Sequence, residues 1–183
     1  MPDGVRVSTK CRLGNPRPED VLARLRTSLD DSLARMKLER VDFFFLHNMI
    51  VADEDQARYD GTPLTLFVES VIPAFETLKK EGLIGAWGIT GIGVPDAILE
   101  TIESDPPPQA IQVITNLLDS PGALKRFEGP AKPREIAAAA HRRGVGVMGI
   151  RAVQAGALTS EFDRQLPEDH PDLADYRRAA AFR

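Results

Sequence analysis

Three polar side chains stand where an apolar run gives way to a polar segment. Lys10 follows Val5–Thr9, His47 follows Phe43–Leu46, and Asn116 follows Ile111–Thr115. A lysine in such a place offers a nucleophilic amine. A histidine offers proton transfer near neutral pH, and an asparagine supplies both donors and acceptors. Taken singly, each has an ordinary explanation: a solvated lysine, or a core histidine whose hydrogen bonds are met. Their interest depends on convergence. Arg6 and Arg12 lie close to Lys10 in sequence, and a desolvated Lys10 would support a Schiff-base lyase.

Other chemistry has weaker support. Gly88-Ile89-Thr90-Gly91-Ile92-Gly93 lacks the G-x-G-x-x-G spacing of a dinucleotide loop and reads better as a turn before a helix. No G-x-S-x-G elbow is present, so serine hydrolase chemistry has no footing. His141 closes an alanine-rich helix and His170 sits in an acidic, proline-containing loop. Neither forms a metal constellation with His47.

The elements that must position these groups alternate along the whole chain. Val5–Thr9 is a β-branched run, followed by a helix start at Gly14–Asp20 with early prolines and carboxylates. Val21, Leu25, Leu29, Leu33 and Met36 then recur at near-helical spacing, which predicts an amphipathic helix with these residues inward. Strands are expected at Val41–Leu46, Leu83–Ile89, Ala110–Ile114 and Val145–Ile150. Helices are expected at Leu66–Lys80, Val94–Ser104, Pro133–Arg143 and Asp172–Phe182. Continuous apolar strands between amphipathic helices indicate parallel βα units. In such folds the strand C-termini open on one face, where Lys10, His47 and Asn116 would meet. The segment Asn48–Pro63, which holds Tyr59, is expected to be a long irregular loop at that same end. No composition break divides residues 1–183, so a single domain is expected.

Composition narrows the class further. With 43% hydrophobic and 27% charged residues in 183, the chain has an ordinary globular make-up. Its formal charge of −4 argues against a general nucleic-acid surface. No apolar run approaches the roughly 20 residues of a membrane span. The single cysteine, Cys11, excludes an internal disulfide framework. The N-terminus lacks the apolar stretch of a signal peptide, and a cytoplasmic protein is expected.

Several ordered stretches resemble the aldo-keto reductase family. Val7-Ser8-Thr9-Lys10 is similar to the family's third barrel strand with its catalytic lysine. Thr27–Leu33 through Val41–His47 resembles the next helix and a strand ending in the catalytic histidine. Leu78–Ile84 through Trp87–Thr90, Gln112–Leu118, and Gly144 through Gly156–Thr159 resemble the following units up to the loop after strand seven. The resemblance implies an incomplete (β/α)8 barrel of the TIM type, with about five parallel strands present. It also implies reduction of an aldehyde or ketone with NADP(H), NAD(H) remaining an alternative.

By that resemblance Lys10 is the lysine that lowers a tyrosine pKa, and His47 orients the carbonyl. Gln112 and Thr90 hold the nicotinamide carboxamide, with Asn116, Ile150 and Arg151 completing the expected cofactor-facing set. The family's aspartate and tyrosine lie upstream of the lysine, where only nine residues precede Lys10 here. A truncated chain is therefore expected, against the roughly 250 residues of an eight-unit barrel, and Tyr59 is the one candidate replacement phenol. A small-molecule carbonyl partner is implied, without nucleic acid or membrane, and open barrel edges would favour self-association. A degenerate barrel serving as a binding or regulatory subunit, and the lysine lyase, are the alternatives.

Overall fold

Every strand pairing is parallel, and that fixes the architecture. The computed structural model describes residues 4–160 and 165–182. Strand β1 (Ser8–Cys11) leads to helix α1 (Val21–Met36), then β2 (Val41–Leu46). Next come the two-residue strand β3 (Ile50–Val51), the short helix α2 (Gln56–Tyr59) and β4 (Thr62–Pro63). Helix α3 (Leu64–Leu66) runs through a π-helical turn, Phe67–Val71, into α4 (Ile72–Lys80). The pattern continues with β5 (Ile84–Thr90), α5 (Pro95–Ile102), β6 (Ala110–Ile114), α6 (Pro133–Arg142), β7 (Gly146–Ile150) and α7 (Leu173–Ala179). The main sheet has five strands in the order β1-β2-β5-β6-β7, which is also their order in the chain. A parallel sheet wound in chain order, each strand followed by a covering segment, is part of a (β/α)8-type wall.

Strand alternation divides the side chains between two faces. Phe44, Leu46, Trp87, Ile89, Ile111 and Val113 point toward the helices and are buried. There Trp87 stacks on Phe75 with ring centroids 5.4 Å apart, and Phe44 meets Phe75 edge-on at 5.6 Å. Trp87 Nε1 donates to Glu76 Oε1 at 2.6 Å, so the buried indole keeps a partner. On the opposite face Lys10 lies in register with Phe45, Phe45 with Gly88, and Gly88 with Ala110. A Cβ on Gly88 would press on the Ala110 carbonyl oxygen and stand 2.6 Å from Phe45 Cε1, so glycine lets the neighbouring strand and the Phe45 ring meet at this level of the sheet.

Three details differ from the sequence expectation. The first strand is Ser8–Cys11, not Val5–Thr9, which puts Lys10 inside the strand and leaves Val5 exposed. Met36, expected inward, is exposed because it lies in the last turn of α1, beyond the covered stripe. The segment after β2 is not irregular: β3 and β4 pair through Ile50–Thr62 and Val51–Pro63. Gly93 belongs to that packing, since a Cβ on it would lie 2.9 Å from the Ile50 carbonyl oxygen. The edge strands differ from the centre: Ser8 and Lys10 on β1, and Val147 and Met148 on β7, are exposed.

Candidate active site

Strand register builds the site. Leu46 pairs with Ile89, Thr90 with Gln112, and Gln112 with Met148, so His47, Thr90, Gln112 and Met148 form one row across the strand C-termini. The His47 N–H continues the ladder by donating to the Cys11 carbonyl at 2.8 Å. His47 Nδ1 lies 3.1 Å from Thr90 Oγ1, and the Thr90 hydroxyl lies 3.4 Å from Gln112 Oε1. Thr90, only 3% exposed, therefore has one proton for two acceptors. Given to Gln112, it requires Nδ1–H on His47 and leaves Nε2 bare. Given to Nδ1, it leaves Nε2–H as a donor.

Charge at this end is positive. Lys10 lies one side-chain level below His47 on the same face, and Arg12 follows two residues later. Partial burial of the ring first, then the charges of Lys10 and Arg12, hold the His47 imidazole below its ordinary value of 6.5. At neutral pH His47 is an uncharged ring able to accept or donate one proton. A cavity of about 300 Å³ opens beside it, lined among others by Arg12, His47, Tyr59, Asp60, Thr90 and Arg126. A wider, shallow hollow lies along α4 between Pro73 and Lys80. The carboxylate there is already engaged by Trp87 and Lys79, so the strand-end cavity is the better site.

The side chains selected from the sequence fall into two groups. Lys10, His47, Thr90 and Gln112 share the strand-end face. Among the described residues, the one acceptor for Gln112 Nε2 is the weak Met148 Sδ, at 3.6 Å. Asn116 and Arg151 join a separate cluster. Asn116 Nδ2 donates to Ser120 O at 2.9 Å and to Gln154 Oε1 at 3.2 Å, while Arg151 reaches Gln154 Oε1 and Asp172 Oδ1, each at 3.1 Å. Ile150 pairs with Ile114, and its carbonyl accepts the Thr115 N–H at 3.0 Å. Tyr59 lines the cavity, but its hydroxyl accepts the Glu128 N–H at 3.4 Å.

Sequence reasoning did not single out Arg126, Gln154, Asp172 or Asp175. Arg12 alone had a signal, since period-two spacing from Lys10 places it on the same face. Among the described residues, no group of three His, Cys, Asp or Glu side chains is placed to hold a metal ion.

Known proteins share this fold. A model of the Aldo/keto reductase family matches residues 1–180. L-galactose dehydrogenase of Arabidopsis thaliana is 28% identical over 184 residues, covering 95% of this chain and 48% of that protein. The holo form of an aldo-keto reductase from Bacillus halodurans superposes with a TM-score of 0.61 at 27% identity, covering 90% of this chain and 46% of its own. A Bombyx mori aldo-keto reductase in complex with NADP gives 0.60 at 16% identity, over 99% of this chain and 52% of its own. The chain thus spans about half the length of these proteins. With the family match extending over nearly every residue, the chain belongs to the aldo/keto reductase family.

Proposed function

We propose that the strand-end row is the carbonyl-facing half of an NADP(H)-dependent oxidoreductase site that interconverts an aldehyde or ketone and its alcohol. The observation that carries this reading is the hydrogen-bonded row His47–Thr90–Gln112 beside the Lys10 and Arg12 charges. The donor set fits a nicotinamide. Among the described residues the Gln112 amide donates to a thioether alone, and a carboxamide ligand would offer it a far better acceptor. When bound, the cofactor supplies or receives the hydride. The residues of this chain bind, orient and manage protons.

Gln112 and Thr90 hold the carboxamide in place. His47, kept uncharged, presents an N–H to the carbonyl oxygen when Thr90 gives its proton to Nδ1. Lys10 places positive charge where negative charge develops on oxygen, which stabilises the alkoxide-like state. A water, or a phenol from outside this row, completes proton delivery. Binding without turnover would place the chain in the regulatory class.

Fluorescence titration with NADPH tests the reading. Saturable binding that weakens about three- to ten-fold in Gln112→Ala is expected for one lost hydrogen bond. Absence of NADPH binding by the folded chain refutes it.

A further inference from the structure

The cavity beside His47 carries more positive charge than carbonyl chemistry requires. Arg12 and Arg126 both line it, and neither makes a hydrogen bond or ion pair with any described residue. Other arginines do have carboxylate partners, among them Arg6 with Asp42, Arg26 with Glu81, Arg58 with Glu128 and Arg151 with Asp172. The one carboxylate lining the cavity, Asp60, is held by Asn15 Nδ2 at 3.3 Å rather than by either arginine. Lys10 adds a third positive charge close enough to act on His47. This accumulation occurs in a chain whose formal charge is −4. Both arginines are exposed, and two guanidinium groups at the rim of one cavity make a positive potential that favours an anionic ligand.

We infer that the substrate carries an anionic oxygen group, a carboxylate or phosphate, seated between Arg12 and Arg126 while its carbonyl faces His47. This inference rests on the oxidoreductase reading for the role of His47, but not for the anion site itself. Guanidinium matches both groups through two parallel N–H···O bonds, so it would fix orientation as well as affinity. A cavity of about 300 Å³ suits a small molecule whose charged tail and carbonyl are a few bonds apart. Orientation is the functional gain: anchoring the tail leaves one end of the molecule for the His47–Thr90–Gln112 row. Asp60, across the same cavity, would disfavour a substrate with a second negative charge.

The test uses the 183-residue chain and its three histidines, His47, His141 and His170. The His47 imidazole resonance is followed by NMR, with the other two as controls for folding. Two matched pairs serve as probes: 4-oxobutanoate against butanal, and glyceraldehyde 3-phosphate against glyceraldehyde. The anionic member of at least one pair should shift His47 with a dissociation constant at least about ten-fold lower, as expected for charge-assisted hydrogen bonds. The pair with the larger gain names the anion. Arg12→Met combined with Arg126→Met should abolish the preference, with His141 and His170 unmoved.

Equal affinities within both pairs overturn the inference, as does a preference that survives in the double variant. A repeat with NADPH separates substrate from cofactor. If NADPH displaces the anionic probe, the arginines serve cofactor phosphates and the substrate assignment fails. If NADPH does not bind at all, the oxidoreductase reading fails while the anion preference is still read from His47.

Discussion

Two polar networks lie at the same end of the sheet, and they are built in opposite ways. The one joining Asn116, Ser120, Arg151, Gln154, Asp172 and Asp175 is closed. Asp175 accepts from Ser120 Oγ at 2.7 Å, from Gln154 Nε2, and from Arg178 NH1 at 3.4 Å. Asp172 accepts from the Ala123 N–H at 2.8 Å and from Arg151, and Gln154 is fully buried. The other, His47–Thr90–Gln112, runs at 3.1–3.6 Å, ends on a thioether and faces unpaired cations. Saturated polar groups specify a conformation, whereas a row with capacity left over is prepared to meet something else.

The closed network also holds unusual backbone. Arg151, Gln154 and Ala155 all have positive φ, near 54°, 46° and 51°. Such conformations cost roughly 1–2 kcal/mol each for non-glycine residues. Hydrogen bonds donated by Arg151 and Gln154 to Asp172 and Asp175 tie this turn to the start of α7, which keeps it in place.

That contrast can be broken experimentally. Asp175→Ala should have the largest effect on stability, about 3 kcal/mol, because it strands the Gln154 amide and Ser120 hydroxyl inside the protein. Urea unfolding followed by circular dichroism measures it, and a loss below about 1 kcal/mol would contradict the closed-network account. Gly88→Ala should come next, at about 2 kcal/mol, through overpacking against the Ala110 carbonyl and the Phe45 ring. It tests whether the floor beneath the open row is as tightly fitted as its geometry implies.

Thr90→Val should cost only about 1 kcal/mol, since it removes long hydrogen bonds. It should nevertheless weaken NADPH binding by more than its stability cost suggests. An equal effect on both would make Thr90 a packing residue. The smallest effect concerns pH. His47 should titrate below 6.5, and Arg12→Met should raise its midpoint by removing a positive charge. The folded state favours the neutral ring, so this contribution is present above the unfolded value near 6.5. It is lost as pH falls through the lower folded value. A midpoint that falls in Arg12→Met contradicts the assigned cause.

The fold was more legible than the site. Helical spacing located α1 and α4, and apolar runs located β2, β5 and β6, because each buries a face against neighbours close in sequence. The first strand was displaced by three residues for a physical reason: β-branched Val5 and Val7 signal extended chain, but pairing with β2 decides which residues form the ladder. The β3–β4 pair left no local trace, since two-residue strands exist only where the partner lies. Within the site, strand ends pointed to Lys10, His47 and Asn116, of which Asn116 joins the closed network instead, and family resemblance pointed to Thr90 and Gln112. Arg126 was invisible because an irregular segment delivers it across the cavity, with no periodicity to mark its direction. The Asp172 and Asp175 carboxylates were hidden likewise, since an acidic helix start ordinarily implies solvent.

Winding the sheet in chain order has a kinetic consequence. His47 and Thr90 are separated by 43 positions, Thr90 and Gln112 by 22, and Gln112 and Met148 by 36. No member of the row can find its neighbour within its own βα unit, so loop closure must precede every contact. The row should assemble late in refolding, after the Trp87–Phe75 stack has formed. Stopped-flow refolding would then give native Trp87 fluorescence before the His47 environment becomes native, and simultaneous recovery of both would refute that order.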